Sequence, residues 1–220
     1  MHSFTATAGL AAAVLSAAAT AQVVSPFTED FEDGLGNWIS PNGAETLGTA
    51  PGNSFASVDQ TLSDPAGFGA VTVLAGNAGN GASGGAFAGD YLASGIDTLS
   101  YDVRHDAATP LAFSLRIATA ANFPAVIVFG TAPVAGSGEF TTVSFDLSLD
   151  NPLLVPEGGP EVFETTLRNV GNIQLLTDVP GPIEGETVSF AFDNVTIVPT
   201  PGVVATLGLG GLAAMRRRRG

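Results

Sequence analysis

Thr98-Leu99-Ser100-Tyr101-Asp102-Val103-Arg104 puts Leu99, Tyr101 and Val103 on one side of an extended chain and Ser100, Asp102 and Arg104 on the other. A period of two over that length marks a strand with one buried face. The pattern returns downstream. Leu111, Phe113, Leu115 and Ile117 share a face, with Ser114 and Arg116 pointing away. Val143, Phe145 and Leu147 repeat it, as do Val188, Phe190 and Phe192 before Val195 and Ile197. The three-residue step from Phe192 to Val195 breaks the phase, and a bulge at Asp193-Asn194 is expected to restore it.

Shorter apolar runs at 55–58, 70–74, 126–129 and 173–176 read as further strands, and 163–167 suits a strand or a short helix. Turn formers separate them, including Asp33-Gly34, Pro51-Gly52-Asn53 and Gly158-Gly159-Pro160. Between Gln22 and Val198 no stretch keeps a 3.6-residue apolar period over a helix length. Roughly eight to ten short strands predict an all-β antiparallel β-sandwich, of jelly-roll rather than immunoglobulin topology. The Gly-rich segment 76–85 reads as a flexible loop.

The 220 residues contain 21 acidic side chains, seven arginines, no Lys and no Cys. Missing cysteines exclude a disulfide scaffold and thiolate metal centres. The net charge of −14 opposes nucleic-acid binding, which needs a basic surface. All 21 acidic residues fall between Glu29 and Asp193 with only Arg104, Arg116 and Arg168, so that segment carries −18.

The ends read differently. Residues 9–16 are apolar and precede Ala19-Thr20-Ala21, the pattern of a signal peptide over 1–21 with cleavage after Ala21. Signal peptidase is then a partner, and the sandwich domain spans 22–197. The segment 198–220 starts with Val198-Pro199-Thr200-Pro201-Gly202, continues through apolar residues to Met215 and ends in Arg216, Arg217, Arg218 and Arg219. Its hydrophobic part is expected to form a short C-terminal helix of about 20 Å at 1.5 Å per residue, against a hydrocarbon core near 30 Å. Such a helix suits transient membrane contact better than permanent anchoring.

This tail resembles the PEP-CTERM protein-sorting signal in its planctomycete-like variant, with Thr200 where the name-giving motif has Glu. The resemblance implies processing by an exosortase-type membrane enzyme and a secreted or cell-surface location. The domain resembles, over residues 27–198, the jelly rolls of laminin domain IV and of galactose-binding-like carbohydrate modules. The motifs that carry this are Asp30-Phe31-Glu32-Asp33-Gly34 with Trp38, Phe87-Ala88-Gly89-Asp90-Tyr91, and Phe192-Asp193-Asn194-Val195.

In that jelly roll the first and last strands lie together. The resemblance therefore brings Asp30 and Glu32 towards Asp193 as candidate ligands of a structural Ca2+, whose coordination calls for several oxygens. Trp38, Asp90, Tyr91 and Arg104 are the candidates for binding a sugar, as aromatic platforms and polar anchors. Catalysis has weaker support. Asp102, His105 and Asp106 are close in sequence, but no Gly-x-Ser-x-Gly elbow is present, and His105 reads as an exposed turn residue. The sequence thus favours an exported non-catalytic surface or matrix protein, with a module for extracellular polysaccharide as the alternative.

Overall fold

The computed structural model describes residues 23, 25–41, 45–64 and 67–200. Among these residues, eleven strands form two antiparallel sheets. The first sheet contains β2 (Glu45–Ala50), β3 (Asn53–Thr61), β11 (Thr187–Pro199), β5 (Ile96–His105) and β8 (Thr141–Asp146) in that order, with β1 (Phe27–Glu29) also paired to β11. The second runs β4 (Ala70–Asn77), β10 (Val170–Asp178), β6 (Phe113–Thr119), β7 (Ala125–Phe129) and β9 (Leu154–Glu157). Two short helices, α1 (Tyr91–Ser94) and α2 (Val162–Leu167), join strands. The segment at 163–167 is therefore helical.

The alternating residues face each other across the sandwich. Tyr101 on β5 lies 5.6 Å from the Phe145 ring, 5.7 Å from Phe192 and 6.4 Å from Phe113. Each of these side chains is buried. Full burial of a large apolar side chain stabilises a fold by about 1.5–3 kcal/mol. Residues drawn from both sheets thus share one aromatic core.

The expected bulge is present. Pairing of β11 with β5 shifts register between Asp193 and Thr196, and Asn194 has φ +49°, a conformation that Asn tolerates better than most residues. One edge of β11 is divided at this point. β3 pairs with Thr187 to Phe192, and β1 pairs with Val195 to Ile197. The first and last strands do lie together. Pairing continues to Pro199, and Thr200 donates its backbone N–H to the Gly95 carbonyl at 2.8 Å. The last strand therefore runs through Val198 to Pro199, and Thr200 is tied to Gly95 just after it.

The Gly-rich segment 76–85 is ordered into the end of β4 and two 3-10 turns. Ser83 holds it in place. The Trp38 indole N–H donates to Ser83 Oγ at 2.8 Å, and that hydroxyl donates to Glu29 Oε2 at 2.6 Å. Trp38 also lies flat over Gly76, where a Cβ would stand 2.9 Å from the ring.

The signal segment with Ala19 and Ala21, and the tail from Pro201 and Gly202 to Arg216–Arg219, lie outside the described residues. Among the described residues no helix is long and apolar enough to cross a membrane.

Candidate functional site

The structure places the expected sugar-binding residues in three separate environments. Trp38 and Tyr91 are buried, at 1% and 0% exposure, so neither is an exposed platform. Trp38 packs edge to face against Phe31 and Phe87. The Tyr91 hydroxyl donates to the Phe87 carbonyl at 2.9 Å, and burial pushes its pKa far above the usual phenol value. Aromatic residues close to a strand or turn boundary read equally well as surface or core, and here the core takes them. Asp90 caps α1 by accepting from the Ala93 N–H at 2.8 Å, and it meets Arg168 at 3.8 Å.

Arg104 stands on the outer face of the first sheet. Its guanidinium rests against the Phe55 and Phe140 rings, 4.5 and 4.7 Å from their centroids. The two ring centroids lie 5.7 Å apart with their planes at 69°, so together they make an aromatic corner that attracts the cation.

The three residues expected to hold a calcium ion lie near the junction of the first and last strands. Asp193 does sit where β1, β3 and β11 meet, and its buried carboxylate accepts from Asn53 Nδ2 at 2.8 Å and from the Asn194 N–H at 2.7 Å. Glu32 accepts from the Ser54 N–H, and Asp30 from the Glu32 N–H. These oxygens satisfy backbone and amide donors of the chain. Among the described residues no group of three or more His, Cys, Asp or Glu is arranged to hold a metal ion.

His105 is buried, not exposed. It continues the inward row of Leu99, Tyr101 and Val103, and its Nε2 lies 3.0 Å from the Val134 carbonyl. A carbonyl only accepts, so Nε2 carries the proton and Nδ1, which has no partner, is bare. Burial holds the His105 pKa below the usual imidazole value. Asp102, three residues earlier, is on the opposite face and accepts from Thr142 Oγ1 and Asn194 Nδ2. Asp106 accepts from the Ser189 N–H at 2.8 Å, and His105 is hydrogen-bonded to neither carboxylate.

The polar centre that sequence reasoning missed is Arg116, on the outer face of the second sheet. All five guanidinium donors are used. Nε and Nη2 reach Glu157 Oε2 at 2.9 and 2.8 Å, and Nη1 donates to Asn122 Oδ1 at 2.8 Å and Gln174 Oε1 at 2.9 Å. Nη2 also donates to the Asn122 carbonyl at 2.8 Å. The Phe123 ring covers this cluster with its centroid 5.0 Å from the guanidinium carbon, yet the residue remains 61% exposed.

Phe129, opposite Ser114 on β6, adds a second outward ring at 48% exposure. Ser114 and Arg116 are two residues apart, which sets the Phe129 row about 7 Å along the strand from the Arg116 cluster. On the neighbouring β9 side, Val155 stands in the Arg116 row across Ile127 and Leu153 lies beside Phe129, both exposed. The face combines exposed aromatic rings with oriented amides and a carboxylate.

No family model matches the chain, and no curated protein sequence does. Solved structures match by shape. A family 11 carbohydrate-binding module, from the cellulosomal cellulase Lic26A-Cel5E of Clostridium thermocellum, superposes with a TM-score of 0.52 at 13% identity. The match covers 81% of this chain and 97% of the module. An exo-β-agarase superposes with a TM-score of 0.56 at 15% identity over 80% of this chain. The chain spans 26% of the agarase's length. The shared feature is the jelly-roll fold. The all-β sandwich expectation therefore stands, with eleven strands in the two sheets.

Proposed function

We propose that this domain is a non-catalytic glycan-binding module of an exported protein, and that the outer face of the β4–β10–β6–β7–β9 sheet receives the glycan. One observation carries the reading: Phe123 remains exposed while stacked over a saturated polar cluster. An exposed ring can pack on the apolar face of a sugar, and neighbouring amides and carboxylates can bond its hydroxyls. The fold likeness to a carbohydrate-binding module supports the same reading. The ligand is an uncharged polysaccharide. The domain carries −18, and the one cation at the site has its charge opposed by Glu157 and its donors spent.

Affinity electrophoresis through gels cast with β-1,3-1,4-glucan, xylan or agarose tests this. Retardation by at least one polysaccharide, lost in Phe123→Ala at an unchanged melting temperature, is the expected result. Migration unaffected by all three opposes it.

The export reading is part of the same proposal. The Ala19-Thr20-Ala21 pattern supports removal of 1–21, and the Pro-rich, apolar and Arg-rich order of 198–220 supports processing by an exosortase-type enzyme. Mass spectrometry of the protein from its host is expected to find an N-terminus at Gln22 and no arginine tail. A surface fraction retaining Arg216–Arg219 opposes it.

A further inference from the structure

Arg116 has no donor left for a ligand, so its value to the site lies in what it holds. Nη1 fixes Asn122 and Gln174 through their amide oxygens. This decides which way each amide faces, because the oxygen is turned to the cation and the N–H2 group is turned away from it. Neither Asn122 Nδ2 nor Gln174 Nε2 makes a hydrogen bond among the described residues. Glu157 is bound to Arg116 through Oε2 alone, leaving Oε1 as an acceptor.

The three partners come from distant parts of the chain. Gln174 is on β10, Asn122 in the β6–β7 turn and Glu157 at the end of β9. One buried guanidinium therefore orients two donor amides and one acceptor around the exposed Phe123 ring. We infer that Arg116 is the positioning residue of the glycan site, and that Gln174 Nε2 and Asn122 Nδ2 are the donors that select the sugar's oxygens. This inference rests on the glycan-binding reading.

Isosteric changes separate presentation from structure. Gln174→Glu and Asn122→Asp keep an acceptor for Arg116 but remove the outward donor. Arg116→Lys keeps the charge and supplies three donors in place of five. Dissociation constants by affinity electrophoresis, on whichever of β-1,3-1,4-glucan, xylan or agarose retards the native protein, are the readout. Melting temperature is measured beside them.

The expected result is an affinity loss of about tenfold in Gln174→Glu and in Asn122→Asp, with the melting temperature held. Arg116→Lys is expected to lose binding although its charge is kept. Unchanged affinity in both amide variants overturns the inference, as does native affinity in Arg116→Lys. Failure of the native protein on all three polysaccharides overturns the underlying reading as well, and shows itself before any variant is compared.

Discussion

Arg116 on β6 and Glu157 on β9 are joined across an intervening strand, with Glu157 Oε2 accepting from both Nε and Nη2. β7 lies between them, and its small Ala125, paired with Glu157, leaves room for the reach. The pair fastens the edge strand of the second sheet to its centre. It also closes the charge of a guanidinium whose side chain is only 9% exposed. Glu157→Ala leaves that cation without its counter-ion, which typically costs about 3 kcal/mol. A fall in the denaturant midpoint is expected, with Glu157→Gln losing less because an oxygen remains to accept.

Trp38 is a structural residue, although its sequence setting suited a sugar platform. Ser83→Ala strands its indole N–H in a buried site, at a cost of about 1–3 kcal/mol. Thermal unfolding is expected to shift down while polysaccharide retention stays unchanged. A loss of retention without a loss of stability contradicts the assignment.

The turn carrying Asn122 and Phe123 rests on Gly171. A Cβ there would stand 2.4 Å from the Ala120 backbone nitrogen and 2.6 Å from its Cα. Gly171→Ala must push the turn away, and overpacking of this kind costs about 1–3 kcal/mol. Both stability and glycan retention are expected to fall together, in contrast to the Ser83 variant.

Buried His105 gives the pH dependence a definite sign. Its folded pKa lies below the ordinary value through burial, against the opposing pull of the Val134 carbonyl, Asp106 and Asp178. The unfolded chain therefore binds the proton first, and stability falls as the pH drops below the usual imidazole value of about 6.5. Asp178 and Asp193 act in reverse. Burial raises both, so the folded state holds their protons more tightly and gains stability as the pH falls through the window above the usual carboxylate range. Thermal melts between pH 7 and 5.5 are expected to decline for the native protein. The decline should vanish in His105→Gln, whose amide can still donate to Val134.

Much of the fold was legible in sequence because alternation reports directly on which residues face inward. The strands around Leu99, Phe113, Phe145 and Phe190 follow it, and the phase break at Phe192 located the bulge. His105 was readable too. It keeps the parity of Leu99, Tyr101 and Val103, and only the turn after it suggested exposure. The site was less legible. Of Arg116's partners, Asn122 is six residues away, while Glu157 and Gln174 are 41 and 58 away. Their meeting depends on strand order, which periodicity does not encode. The carboxylates near Asp193 show the opposite lesson: the strand pairing brings them close, but Asn53, Ser54 and the backbone take up their oxygens.

Retention of the native protein and two single variants in polysaccharide gels tests the glycan-binding face most directly. Phe123→Ala removes the exposed ring over Arg116, whereas Phe140→Ala removes a ring beside Arg104 on the other sheet. Retardation kept in Phe140→Ala and lost in Phe123→Ala is the predicted result. Retardation kept in Phe123→Ala and lost in Phe140→Ala would place the glycan on the opposite face and contradict the account.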